Sequence, residues 1–335
     1  MGFTCLLQGN DTLTIQCGAM VIDAGHTVAG VVTRDARVRD WAKEGGLPVF
    51  ASGSEYAGDI DWLLSIANTD VIPVDVLAKA TKGAVNFHDG PLPRYAGLNA
   101  PVWALMNGED SHGITWHVIE GGIDEGRIVA QRLFDVSADD TALTLNAKCF
   151  SAAIDCFDDV LKALAAGVPN ATAQDLSTRS YFGLHDRPFA GAVLDFDKPA
   201  AEIVRTVRAL DHGDYRNPLS VPKLLIGDRV VLARKAEMIE GDGEAGTVLS
   251  ADTKSVTIAA AVGAVRLSDL CDPMGAPVSA GLAPGTALPF ADLRGIDAAL
   301  KETVKSDRKW SKRFDEYCPA NWWDKRREAG QVSIA

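Results

Sequence analysis

Gly83-Ala-Val-Asn86-Phe-His88 is an apolar run that ends in two polar side chains two residues apart. The length and composition of the run predict a buried strand, and alternate strand residues share a face, so Asn86 and His88 reach one spot at its carboxyl end. In an open α/β sheet that end is where ligands bind. Upstream, Phe3-Leu7, Thr27-Val32 and Trp62-Ala67 also read as buried strands, and Thr12-Ala24, Ala36-Glu44 and Pro73-Ala80 read as the helices between them. This alternation predicts right-handed crossovers and a Rossmann-like, mainly parallel sheet with helices on both faces. Downstream, His112-Ile119 and Ile128-Phe134 predict a hairpin around Gly121-Gly122.

Asp139-Asp140 is the expected cap of one long helix running to about Ala166, with Leu143, Ala147, Phe150, Ile154, Phe157, Leu161 and Leu164 at helical spacing and Gly167 and Pro169 as its stop. Residues 170–194 are irregular and polar. After a short helix over Pro199-Ala209 the texture changes. Val221-Ile226, Arg229-Ala233, Gly246-Leu249, Ser255-Ala260 and Gly263-Leu267 are short strand candidates separated by Gly and Asp turns, which predicts a small antiparallel barrel. Pro284 to Pro289 reads as a linker. Residues 291–330 are charged and read as helical, with Trp310, Trp322 and Trp323 as packing anchors.

The 335 residues suffice for two domains, and 47% hydrophobic with 23% charged residues fits a soluble globular protein. A formal charge of −12 argues against tRNA, DNA and anionic membranes as partners. No apolar run spans a bilayer, and Met1-Gly-Phe-Thr-Cys-Leu-Leu lacks the features of a signal peptide. The six cysteines, Cys5, Cys17, Cys149, Cys156, Cys271 and Cys318, form no CxxC pair or zinc spacing, so reduced thiols in the cytoplasm and no metal are the expectation.

The first strand ends in Gln8-Gly-Asn-Asp-Thr, whose single glycine excludes the dinucleotide fingerprint; no Walker A or GxSxG sequence occurs. His88 alone reads as a structural histidine. Asn86 beside it changes that reading, because polar groups at a strand end are costly to bury without partners. Asp124, in Glu120-Gly-Gly-Ile-Asp-Glu-Gly126, supplies a carboxylate on a loop. An amide donor, an imidazole and a carboxylate make a plausible acyl-transfer site, the amide holding an oxyanion, the imidazole handling the proton and the carboxylate setting its charge and tautomer. His112 and His117, on the hairpin, read as structural or surface groups.

Asn86-Phe-His88-Asp-Gly-Pro-Leu-Pro-Arg-Tyr-Ala-Gly97, Pro101-Val-Trp103, Gly113-Ile-Thr-Trp-His117 and Gly122-Ile-Asp124-Glu-Gly126 together resemble the signature of the 10-formyltetrahydrofolate-dependent formyltransferases, methionyl-tRNA formyltransferase among them. The resemblance covers about residues 1–180. Asp195 to Leu210 resembles the opening of the C-terminal subdomain of the tRNA and sugar enzymes, which the phosphoribosylglycinamide enzymes lack. The resemblance implies a catalytic domain over 1–185, an OB-like subdomain over 195–285 and a helical extension over 286–335. It implies that Asn86 and a cationic His88 stabilise the oxyanion, and that Asp124 holds His88 and helps remove the amine proton. It places the folate, as formyl donor, against Ile66, Ala67, Asn68, Ile119, Gly121 and Gly122, with Leu92 and Val102 as apolar walls.

The common family loop reads His-Gly-Ser-Leu-Leu-Pro with a later Arg-Gly. Here Asp89, Gly90 and Pro91 stand in place of Gly-Ser-Leu, and Ala96 in place of the arginine. Loss of that cation disfavours a phosphate-bearing acceptor. This form looks most like the formylation domains of nonribosomal peptide synthetases, and Arg308-Lys-Trp310 resembles the linker to their next domain. The resemblance therefore implies an aminoacyl acceptor on a carrier-protein arm or neighbouring synthetase domain. The rivals are an amino sugar nucleotide, hydroxyornithine or methionyl-tRNA as acceptor, and an idle folate-binding or docking module.

Overall fold

The computed structural model describes residues 2–317 except 169, 216 and 290. Its first half follows the order β1 (Thr4–Gln8), α1 (Thr12–Asp23), β2 (Thr27–Val32), α2 (Ala36–Glu44), β3 (Val49–Phe50), β4 (Ile60–Ser65), α3 (Val74–Leu77), β5 (Ala80–His88), β6 (Ala96–Gly97), α4 (Ala100–Met106), β7 (Ser111–Val118), β8 (Ile128–Asp135), α5 (Ala142–Asp155) and α6 (Phe157–Ala165). The main sheet has strand order β3-β2-β1-β4-β5-β7-β8. The first five strands run parallel, and β7 and β8 add an antiparallel hairpin at the β5 edge. Cys5, Leu6 and Leu7 of β1 and Leu63 and Leu64 of β4 are fully buried, as parallel strands covered by helices on both faces require.

The order reverses between β1 and β4, so the loops after these strands meet at the carboxyl edge. Gly9 permits that meeting, because a Cβ there would lie 2.0 Å from the Ile66 carbonyl oxygen and 2.2 Å from Thr14 Oγ1. Asp11 caps α1 through the Thr12 N–H at 2.6 Å, and Asp35 caps α2 through the Val38 N–H at 3.1 Å.

Several expectations change in detail. β5 begins at Ala80, in the stretch expected to end a helix, and α3 is one turn long. The single long helix is two, broken at Cys156, whose φ of −105° and ψ of 2° leave the helical region. Thr141 makes its cap, in a reciprocal box with Thr144. Asp140 instead binds the Ser137 N–H and Lys148. Of the expected stop residues, Gly167 takes a φ of +81°, and Pro169 lies outside the described residues.

The second half contains β9 (Tyr181–Phe182), α7 (Ala200–Ala209), β10 (Lys223–Ile226), β11 (Arg229–Ile239), β12 (Val248–Ala251), β13 (Ser255–Ala259), β14 (Ala264–Cys271) and α8 (Leu293–Tyr317). β9 pairs with β6 of the first half. The expected small barrel is an antiparallel five-stranded half-barrel, order β10-β11-β14-β13-β12. α7 packs Ile203 and Val207 into its core with Leu224, Val231, Ile258 and Leu267. The expected linker is partly paired: Val248 N–H donates to the Thr286 carbonyl, and Thr247 bridges Ala287. Trp322, Trp323 and Cys318 lie outside the described residues, as do the side chains of Arg308 and Trp310. Among the described residues no helix is long and apolar enough to cross a membrane, and no group of His, Cys, Asp and Glu has the arrangement of a metal site.

Candidate active site

β5 lies between β4 and β7, with Asn86 opposite Ser65 on one side and His117 on the other. Asn86 Nδ2 donates to His117 Nε2 at 3.2 Å, which leaves its second N–H for another acceptor. His88 is buried, and its Nε2–H donates to the Tyr95 carbonyl at 2.7 Å. The other ring nitrogen, Nδ1, lies 3.6 Å from Asp124 Oδ2 and 3.9 Å from Asp89 Oδ1. The structure thus brings Asn86, His88 and Asp124 together, and adds His117, which lies 3.3 Å from Asp124 Oδ1 through Nε2.

His117 is not at the surface. It is 3% exposed, and Nδ1–H donates to the Val118 carbonyl at 3.0 Å. Its Nε2 therefore has two uses: unprotonated, it accepts from Asn86; protonated, it points at Asp124. It links the amide and the carboxylate of the site. Alternating polarity could not reveal it, because β7 is buried along nearly its whole length, polar residues included.

Asp124 sits in the left-handed region at φ 56°. Its Oδ2 accepts the Gly97 N–H at 2.8 Å. Burial pushes its carboxyl up, but the hydrogen bond from His117, the charge of His88 and the Gly97 N–H outweigh burial and hold it at about 2. The loop that carries it is tied from outside: Gln174 Nε2 donates to the carbonyls of Asp124 and Gly126 at 2.9 and 2.6 Å, and Arg179 Nη2 to that of Ile123 at 2.9 Å.

The segment after His88 is fixed by the hairpin. His112 Nε2–H donates to the Asp89 carbonyl at 2.9 Å, Thr115 Oγ1 to that of Gly90 at 2.8 Å, and Gln131 Nε2 to that of Leu92 at 2.8 Å. Burial lowers the His112 pKa, so this donor is a neutral imidazole.

The expected folate contacts divide. Ile66–Asn68 and Ile119–Gly122 flank β5 on its two sides, on the loops after β4 and β7. Ile66 itself is fully buried among Leu7, Leu64 and Phe87, with its N–H on the Gln8 carbonyl and its own carbonyl on Thr14. Ala67 takes a φ of 48° and its carbonyl accepts from Asn10 N–H at 3.4 Å. Asn68 Nδ2 binds the Asp70 carbonyl. The Ile119 N–H goes to the Ala84 carbonyl, Gly121 takes a φ of 72°, and the Gly122 N–H binds Glu125. Leu92 and Val102 are each 3% exposed, Val102 among Tyr95, Trp103 and Leu105. They are core residues here.

Residues 56–161 match the family model described as formyl transferase. The fold is similar to that of WlaRD, a sugar 3N-formyl transferase crystallised in the presence of dTDP and 5-N-formyl-THF, at 18% identity over 80% of this chain and 98% of that one, with a TM-score of 0.66. It is equally similar to the N-formyltransferase from Helicobacter canadensis in complex with folinic acid and dTDP-3-aminofucose, at 19% identity over 81% of this chain and 100% of that one, TM-score 0.66. HypX from Aquifex aeolicus in complex with tetrahydrofolic acid matches at 20% identity over 82% of this chain but 45% of its own length, TM-score 0.57. At such identities the likeness concerns the fold. The matched segment, about a third of the chain, holds Asn86, His88 and Asp124, and over it the chain is similar to the formyl transferase family.

Proposed function

We propose that the protein transfers the formyl group of 10-formyltetrahydrofolate to a primary amine, and that the amine belongs to an aminoacyl group presented by a carrier protein. The convergence of Asn86, His88 and Asp124 at the end of β5 carries this reading. Formyl transfer requires an amine to attack a carbonyl carbon, so negative charge develops on oxygen and positive charge on nitrogen. The Asn86 N–H left over from His117 suits the oxygen; one such donor in place is worth about 3 kcal/mol of transition-state stabilisation. His88 Nδ1 is the proton-handling atom, because Nε2–H is committed to Tyr95. Asp124, held by Gly97 and His117, keeps that nitrogen facing a fixed negative charge.

The Ile66–Asn68 and Ile119–Gly122 loops, on the two sides of β5, are the proposed folate walls. The Ile66 backbone and side chain are used internally, so its neighbours Ala67 and Asn68 are the better contacts. In this reading residues 1–185 form the catalytic unit, 195–285 the smaller one and 286–335 an extension.

The acceptor assignment rests on the cations near the site. Ala96 is buried, Arg94 is paired with Glu109, and Arg179 donates to the Ile123 carbonyl and lies over the Tyr181 ring. None of these offers an open guanidinium to a phosphate, which favours an acceptor without one. The two sugar formyltransferases of similar fold favour the second reading, an amino sugar nucleotide. Tetrahydrofolate release with carrier-bound aminoacyl groups, and not with nucleotide-linked amino sugars, supports the first reading. The reverse preference establishes the second.

A further inference from the structure

We infer that Asp89 is a second carboxylate of the reacting centre, which binds the acceptor as an ammonium ion and takes its first proton. The inference rests on the formyl-transfer reading and deepens it: the acceptor is a cationic primary amine.

Two carboxylates face the same nitrogen of His88, Asp124 at 3.6 Å and Asp89 at 3.9 Å. They differ in what else they do. Asp124 is committed to Gly97 N–H and His117, and a carboxyl held at about 2 is a weak base. The Asp89 carboxylate accepts no hydrogen bond and meets no lysine or arginine among the described residues. Its backbone is anchored all the same, the carbonyl accepting from His112 Nε2 at 2.9 Å and from Cys149 Sγ at 3.8 Å. Its side chain is 29% exposed and so open to an incoming group.

The groups packed around Asp89 leave its charge uncompensated. Burial raises the Cys149 thiol and lowers His112, so both are neutral near pH 7. Asp124 has its own partners in Gly97 N–H and His117, whereas the Asp89 carboxylate faces only His88 Nδ1, at 3.9 Å and beyond hydrogen-bonding reach, so it has no hydrogen-bonded cation. An ammonium group fits that deficit, and a partly desolvated carboxylate binds one better than water-exposed pairs do.

The protons then balance. R–NH3+ gives one proton to an Asp89 oxygen and becomes R–NH2. Its lone pair forms the N–C bond to the formyl carbon while the C=O pair moves onto oxygen, which Asn86 holds. When that pair returns, the bond from carbon to the donor nitrogen breaks with its electrons on that nitrogen. The second amine proton passes through His88 Nδ1 to the departing nitrogen, and the first leaves Asp89 for solvent. The products are the formamide, tetrahydrofolate and one H+.

The test compares wild type with Asp89→Asn, which keeps the shape and removes the charge. The acceptors are aminoacyl N-acetylcysteamine thioesters and nucleotide-linked amino sugars, with tetrahydrofolate release and tetrahydrofolate binding both measured. The inference predicts a KM for the accepted amine at least roughly tenfold higher in Asp89→Asn. It also predicts a kcat/KM that climbs with pH as the free amine fraction does, and unchanged tetrahydrofolate affinity. Wild-type turnover with an unchanged KM and pH profile in Asp89→Asn overturns the inference and leaves formyl transfer standing. Tetrahydrofolate binding without acceptor-dependent release by wild type overturns both.

Discussion

Gln174 holds Asp124 in place from outside the segment that matches the family, donating through Nε2 to the Asp124 carbonyl at 2.9 Å and to the Gly126 carbonyl at 2.6 Å. The left-handed backbone at Asp124 is a conformation that non-glycine residues rarely adopt, and surrounding contacts must maintain it. Gln174→Leu keeps the volume and removes both donors. Each lost hydrogen bond costs about 1 kcal/mol, so thermal unfolding should fall by a few degrees, roughly 2–8 °C. The turnover number should drop about tenfold, more than so small a stability loss explains. Steady-state kinetics beside calorimetry checks this.

Asn86→Ala removes the amide that bridges to His117 and serves the proposed oxyanion. The loss of one such donor lowers kcat by about 10²–10³. Circular dichroism should show an intact fold, because Asn86 is at the end of its strand.

Asp124→Asn tests the carboxylate in two ways. Activity should fall by at least about 100-fold, since the charge facing His88 disappears. The stability difference from wild type should depend on pH. The folded carboxyl sits at about 2, below its unfolded value near 3.8. Its stabilisation of about 2 kcal/mol is therefore fully present above pH 4 and is lost as pH falls toward 2. Denaturant midpoints of the two proteins should stay apart above pH 4 and converge as pH falls from about 4 to about 2.

Gly97→Ala should be strongly destabilising. Gly97 takes a φ of +97°, and a Cβ there would lie 2.0 Å from the Phe182 carbonyl oxygen, across the β6–β9 pairing. The change also displaces the N–H that binds Asp124. A loss of more than about 2 kcal/mol in denaturant unfolding, together with impaired turnover, is the expected outcome.

The parallel core was legible in the sequence because its strands are short apolar runs divided by capped helices, and the reactive trio because two of its members share one strand end. What stayed hidden depends on long-range placement. His117 lies in a strand buried on both faces, where polar residues carry no facing signal. Gln174 and the Gly97 N–H serve Asp124 across 50 and 27 residues of sequence, and a backbone N–H leaves no mark in a side-chain pattern. The break at Cys156 has no glycine or proline to announce it. The short strands β3, β6 and β9 have two residues each, too few for a period to appear.

The most direct test of formyl transfer is acceptor-dependent release of tetrahydrofolate from 10-formyltetrahydrofolate, followed by absorbance with wild type and His88→Ala over a mixed pool of amines. Release by wild type and its loss, by at least about 100-fold, in a folded His88→Ala protein is the predicted result. Equal release by both proteins would remove His88 from the chemistry, and folate binding without release by wild type would contradict formyl transfer itself.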